Sequence, residues 1–151
     1  MPTVTRNDPY PGYNFQVTIN QISPAGEVVS GAFAEVSGLQ NAIEPIKYRN
    51  GNEALTMRFI PGLVTPEIIT LKRGVTGHVL FWNWIRSGMD GEVQRQDGSI
   101  ILQDENQQEV MRWNFARAWA SKYSVSALNA GENQILMETV EVRCEDLRLD
   151  D

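Results

Sequence analysis

The chain has almost none of the residue types from which most active sites are built. Cys144 is its only cysteine and His78 its only histidine, so an intramolecular disulfide, a multi-cysteine zinc site and a His-Cys metal cluster are all excluded. No serine sits in a Gly-x-Ser-x-Gly elbow and no Gly-x-x-x-x-Gly-Lys phosphate loop occurs; Arg73-Gly74-Val75-Thr76-Gly77 resembles one only superficially. A pair of carboxylates of the glycosidase kind needs only two acids that meet in space, which any of 19 supply, so that signal is generic. No catalysis, cofactor or metal is expected. Nowhere do 18 apolar residues run together, and Met1-Pro2-Thr3-Val4-Thr5-Arg6 lacks the apolar core of a secretory signal. Folding in the cytoplasm without membrane insertion of the monomer is the expectation. Positive charge is scarce as well: 19 acidic against 13 basic residues give a formal charge of -6, the wrong sign for a broad grip on a phosphate backbone.

What is present is the make-up of one ordinary globular domain, 151 residues with 42% apolar and 21% charged side chains. Residues 1–12 carry three prolines and little apolar material, which predicts an N-terminal arm. Residues 13–151 are expected to form a single β domain. Phe15, Val17 and Ile19 alternate with Gln16, Thr18 and Asn20, the period of a strand with one apolar and one polar face. The turn cluster Ser23-Pro24-Ala25-Gly26 then leads to a second strand from Val28 to Val36, closed by Ser37-Gly38. Spaced apolar residues at Ile43, Ile46 and Tyr48, and at Leu55, Met57 and Phe59, flank Asn50-Gly51-Asn52-Glu53, a strong reversal signal. Pro45 marks the first of these strands as an edge or bulged one. Pro61-Gly62 and Pro66 bracket a loop, after which Ile69 and Leu71 resume the alternation.

One helix is predicted from about Gly77 to Arg86, capped by Thr76 and ended by Ser87-Gly88. Leu80, Phe81, Trp82, Trp84 and Ile85 cover an arc of roughly 200°, wider than the stripe of about 100° that a helix lying on its own core requires. Deep burial and a partner at the outer edge both account for that width, and His78 falls inside the arc. A second hairpin follows, Ile100 and Leu102 facing Met111, Trp113 and Phe115 across Asp104-Glu105-Asn106-Gln107-Gln108. In the last strand Ile135 and Met137 differ in parity from Val140 and Val142, which predicts a β-bulge at Glu138-Thr139. The acids Glu138, Glu141, Glu145, Asp146, Asp150 and Asp151 suggest a solvated end. About six to eight short strands and one helix predict a mainly β fold, two packed antiparallel sheets forming a sandwich or barrel with a flanking α-helix.

Several blocks together carry a further pattern. Asp8-Pro9-Tyr10, Phe33-Ala34-Glu35-Val36-Ser37-Gly38-Leu39, Tyr48-Arg49-Asn50-Gly51 and Phe59-Ile60-Pro61-Gly62-Leu63 come first. They are followed by Ile69-Thr70-Leu71-Lys72-Arg73-Gly74-Val75-Thr76, Phe81-Trp82-Asn83-Trp84, Arg112-Trp113-Asn114-Phe115 with Ala118-Trp119, Leu128-Asn129-Ala130 and Ile135 to Val142. In this order, and over nearly the whole chain, they resemble the tail tube family of contractile phages and the inner tube proteins of phage-like contractile injection systems and tailocins. Ala120 departs from it, standing where relatives often carry proline.

The resemblance implies a phage tail tube-like fold and a structural role: six copies per ring, rings stacked into a hollow tube, and a contractile sheath that drives the tube through a target envelope. It implies as partners other copies of the chain, the sheath, baseplate and spike, tape-measure-type proteins, and DNA or protein cargo in the lumen. It assigns Arg49, Asn50, Gly51, Asn52 and Glu53 to contacts between copies and makes His78 and Trp82 candidates to face the sheath. Gln16, Thr18 and Asn20, the polar face of the first strand, become candidates to line the lumen. Two alternatives stay open: a type VI secretion-like tube component that also carries effectors, and a monomeric β-barrel whose Trp82, Trp84, Trp113 and Trp119 line a small-ligand cavity.

Overall fold

A computed structural model describes residues 8–20, 29–31, 33–49, 51, 57–75, 79–131 and 133–150. In chain order the elements are β1 (Phe15–Ile19), β2 (Val29–Gly31), β3 (Glu35–Ser37), β4 (Asn41–Tyr48), β5 (Arg58–Pro66), β6 (Ile69–Gly74), α1 (Leu80–Met89), β7 (Gln96–Gln103), β8 (Glu109–Val125), β9 (Met137–Arg143) and β10 (Asp146–Leu149). The expected mainly β architecture with a single helix is what is found among the described residues.

The long strand β8 organises the body. Its first half pairs with β7 on one side and, over residues 113–116, with β10 on the other; residues 119–125 pair with β9. Two antiparallel sheets therefore share one strand: β2-β1-β7-β8-β10, and β8-β9-β6-β3. The change of direction is made by two extra residues. Across the step from Gln96 to Gly98, β8 advances from Ala118 to Phe115, leaving a bulge that holds Arg117 at φ 52. The Asp97 carboxylate accepts the Arg117 backbone N–H at 2.9 Å. A second register shift lies between Ala120 and Lys122, where the Ser121 hydroxyl donates to the Glu141 carbonyl oxygen at 3.1 Å. Such bulges bend a strand so that it serves two sheets.

The two inner faces enclose Val17, Ile19, Ile100, Phe115 and Leu147 from the first sheet and Ile69, Leu71, Val140 and Val142 from the second. Gly98 is required in this layer, because a Cβ there would overlap the Phe115 ring and the Thr18 carbonyl oxygen. Helix α1 buries Phe81 and Trp84 against the same core. The Trp84 indole N–H donates to the Gln94 carbonyl oxygen at 2.8 Å, and the Phe81 and Phe33 rings meet at 5.7 Å.

Five expectations are corrected. The second strand is not continuous: β2 pairs with β1, whereas β3 pairs with β6 in the other sheet, so the chain crosses between sheets within a few residues. Pro61, Gly62 and Pro66 do not bracket a loop but lie inside β5, with Pro61 opposite Pro45 next to a bulge, where neither proline has an N–H to give to a ladder. Helix α1 starts at Leu80 with no side-chain cap and runs through Ser87-Gly88 to Met89. Its stop is Gly91 at φ 87: the Glu92 N–H bonds the Ser87 carbonyl and the Gly91 N–H the Gly88 carbonyl, an arrangement that needs a left-handed residue. No bulge occurs at Glu138-Thr139, since β9 pairs with β6 residue by residue from Met137 to Val142. Glu138 instead occupies an inward position and is 4% exposed, so it does not belong to a solvated acidic end. The predicted turn at 23–26 and the cap Thr76 lie outside the described residues.

Candidate assembly surfaces

Strands β4 and β5 form a two-stranded ribbon of their own, paired from Asn41–Pro66 to Tyr48–Arg58, and among the described residues no strand ladder joins it to either sheet. Its base is fixed where Gly38, at φ 87, lies against the Ile68 carbonyl, where the Glu67 N–H reaches the Gln40 carbonyl, and where the Asn41 amide donates to the Leu147 carbonyl at 2.9 Å. Beyond this base the ribbon has no core. Ile43, Ile46, Tyr48, Met57, Phe59, Ile60, Leu63 and Val64 are all exposed, Leu63 by 76%. The adjacent pairs Phe59-Ile60 and Leu63-Val64 place apolar side chains on both faces, because successive strand residues point opposite ways. That doubled pattern was the available sequence signal for this surface, and a hairpin read for its polar tip misses it.

Among the residues assigned to contacts between copies, Arg49 and Gly51 are exposed at the end of the ribbon, while Asn50, Asn52 and Glu53 lie outside the described residues. His78 also lies outside them. Trp82 is 42% exposed on the outer side of α1, with Met89 exposed farther along the helix. Most of the wide apolar arc is thus covered by the body, and its edge is open. Gln16 and Thr18 fall on the polar face of β1, opposite Ile101 and Ser99 of β7, and Asn20 is exposed just past the strand.

The second sheet has a polar outer face too, built from Ser37, Thr70, Lys72, Thr139, Glu141, Lys122 and Ser124 by the register of β3, β6, β9 and β8. Among the described residues both of its margins, β3 and the 119–125 half of β8, pair on one side only. Charges on the surface are largely matched. Arg112 forks onto Glu109 at 2.8 and 2.9 Å, Arg95 meets Glu145 at 2.7 Å, and Arg148 meets Asp146 at 2.9 Å. The hydrogen bond from Arg112 holds the Glu109 carboxyl below its ordinary range.

Between α1 and the second sheet lies a polar cluster that no sequence motif announced. Glu138 accepts from the Arg73 guanidinium on one oxygen and from the Tyr123 hydroxyl on the other, the latter at 2.7 Å. Arg73 stacks 4.3 Å from the Phe81 ring centroid, and Tyr123 meets Trp82 edge-on at 5.8 Å. Burial, reinforced by the bond to Glu138, pushes the Tyr123 phenol up to about 12. The cluster ties the helix to β6, β8 and β9. Cys144, half-buried, has its thiol pushed up by burial and by the nearby Asp146. Among the described residues no group of three or more His, Cys, Asp or Glu side chains is placed to hold a metal ion, and no helix is long and apolar enough to cross a membrane.

A sandwich of two sheets sharing one bent strand, with a lateral helix and a projecting apolar ribbon, is a tail tube-like fold. The profile of the T4-like virus tail tube protein gp19 family matches residues 11–148, and the chain belongs to that family. Among solved structures, it is similar to a chain of the anti-feeding prophage (AFP) baseplate at 25% identity and TM-score 0.84, over 96% of this chain and 97% of that one. It is also similar to a chain of the PVC extracellular contractile injection system sheath-tube complex in its extended state, at 25% identity and TM-score 0.81, over 95% and 93%. Hcp1 from Flavobacterium johnsoniae shares the fold at 15% identity and TM-score 0.54, over 91% and 94%. No curated protein sequence matches the chain.

Proposed function

We propose that this chain is the protomer of the inner tube of a contractile tail or contractile injection system, forming six-membered rings that stack into a hollow conduit. The observation that carries this reading is the β4–β5 ribbon, whose exposed apolar side chains have no core of their own. A two-stranded ribbon is at best marginally stable alone in water, so its stability comes from a surface outside the monomer. The role requires no bond-making step. It requires a rigid wall, and the shared strand β8 and the cluster around Glu138 supply rigidity within each copy. The one-sided margins of the second sheet suit joining with neighbouring copies, which would satisfy backbone groups across subunits and leave polar side chains toward water.

The exposed edge of α1 at Trp82 is the surface for a contractile sheath, and the polar faces of the sheets, Gln16 and Thr18 included, are the candidates for the lumen, where DNA or protein cargo passes. Tape-measure-type and baseplate proteins complete the partners, and assembly takes place in the cytoplasm. Sedimentation and negative-stain microscopy of the purified protein test the reading. Rings or tubes far above 17.0 kDa are expected, and a species that stays monomeric or dimeric at all concentrations overturns it.

A further inference from the structure

The polar cluster beneath α1 joins two surfaces that the monomer leaves open. One is the 119–125 half of β8, which among the described residues pairs with β9 alone. The other is the outer edge of α1 at Trp82. Tyr123 belongs to the first surface and touches the second: its phenol donates to the Glu138 carboxylate at 2.7 Å, while its ring meets Trp82 at 5.8 Å. From the other Glu138 oxygen the contacts continue through the Arg73 guanidinium to the Phe81 ring, on the buried side of the same helix. The cluster therefore grips α1 at two successive residues, Trp82 through Tyr123 and Phe81 through Arg73. The start of the helix has no side-chain cap and no acidic residue in its first turn to hold it otherwise. Net stability is not a sufficient reason for such a cluster, because an apolar filling of similar volume is often as stable as a buried ion pair; the best-attested use of buried pairs is to select one arrangement.

We propose that the free margin of β8 and helix α1 are coupled through Tyr123, Glu138 and Arg73, so that a neighbouring copy pairing with residues 119–125 clamps α1 and fixes the edge that a partner outside the tube meets. This inference rests on the tube reading. Pairing acts at the right place. The register shift between Ala120 and Lys122 lies just before Tyr123, and beyond it the strand is held on one side only, so a second ladder sets the twist of the segment that carries the phenol. Lys122 and Ser124 point to the outer face and Tyr123 inward, which turns a change of twist into a movement of Tyr123 against Trp82 and Glu138 together. A neighbour pairs with the ordered strand better than with a loosened one, and this differential affinity is what shifts the population. Coupling is reciprocal in binding free energy, so a partner that holds the clamped helix tightens ring closure by the same factor. An outer partner of this kind recognises closed rings in preference to single subunits.

Hydrogen exchange read by mass spectrometry on peptides covering residues 80–89 tests the coupling. Pelleted tubes and the unassembled supernatant of one preparation are compared, so tube yield does not enter the result. The α1 amides are expected to exchange about tenfold more slowly in the assembled protein. Tyr123→Phe keeps the ring beside Trp82 and gives up the bond to Glu138; Trp82→Leu gives up the ring contact. In each variant the assembled and unassembled forms are expected to differ by less than about twofold, with circular dichroism spectra like that of wild type. Equal exchange in the two wild-type fractions overturns the coupling. So does the full tenfold difference in either variant, which would mean that another copy lies directly on the helix. In both cases the tube reading stands, whereas wild-type protein that forms neither rings nor tubes overturns the tube reading itself.

Discussion

The sandwich body and the β4–β5 ribbon are written in the same amino-acid alphabet and put to opposite uses. Val17, Ile19, Ile69, Leu71, Val140 and Val142 alternate with polar residues and are buried; Ile43, Ile46, Phe59, Ile60, Leu63 and Val64 are equally apolar and remain open to water. The difference is in phase. Body strands, β7 with its buried pair Ile100 and Ile101 excepted, keep their apolar residues mainly on one face, so a second sheet can cover them, whereas the ribbon carries them on two faces and leaves both open. Apolar content alone therefore marks where contact is needed, and the face pattern tells whether the partner lies within the chain or outside it.

The sharpest way to break that comparison is to truncate one aromatic from each region. Trp84→Ala should cost the monomer about 3–5 kcal/mol in denaturant unfolding, whereas Phe59→Ala should change it by no more than about ±0.5 kcal/mol and yet abolish tubes seen by electron microscopy. Equal costs for the two would mean that the ribbon packs on its own body in solution. Glu138→Ala should come next, leaving the Arg73 charge buried without its partner, at about 3–5 kcal/mol; a neutral result would show that water reaches the cluster. Gly98→Ala, where a methyl group must displace the Phe115 ring, should cost about 1–3 kcal/mol, measured by the thermal midpoint.

Smaller effects sharpen the boundary between body and surface. Trp82→Glu loses an edge-on ring contact with Tyr123 worth about 0.5–1.5 kcal/mol, and should leave tubes intact while stopping sheath assembly around them in a co-assembly assay. A variant that fails to fold would assign Trp82 to the body. The Tyr123 phenol should titrate near 12 by ultraviolet absorbance. Because its folded value lies above the ordinary value of 10.0, its contribution to stability is complete below pH 10 and is lost as pH rises toward 12. Titration of Tyr123 near its ordinary value of 10.0 would contradict the burial of this group.

Local signals were legible wherever neighbours in sequence decide the structure. The alternation of β1 and the hairpin of β7 and β8 follow from period and turn chemistry; the Asp104 carboxylate accepts the N–H groups of Asn106 and Gln108 in the turn between them, both at 2.9 Å. The family pattern also survived, because it rests on ordered blocks rather than on exact boundaries. Errors arose where distant residues decide. The parity change from Ile135 and Met137 to Val140 and Val142 predicts a bulge at Glu138-Thr139, but Glu138 itself faces inward, and Arg73 and Tyr123, far away in sequence, make that position tolerable. Pro61-Gly62 reads as the edge of a loop, yet Gly62 lies inside β5 at its bulge, where a Cβ would press on the Glu44 carbonyl and the Ile46 side chain. Helix α1 stops at Gly91 and not at Gly88 because only Gly91 takes up the left-handed conformation.

Strand β8 also decides how the molecule bears load. Because its 17 residues run unbroken through both sheets, a force that drags one sheet along the other stretches a covalent chain and shears many parallel hydrogen bonds at once. A sandwich joined only through loops would let its layers slide. Here the weakest direction is peeling at the short outer strands β2, β3 and β10, which are three, three and four residues long. In a closed ring of the kind proposed above, flanking copies would clamp those margins, and resistance to axial thrust would then exceed that of one subunit held alone.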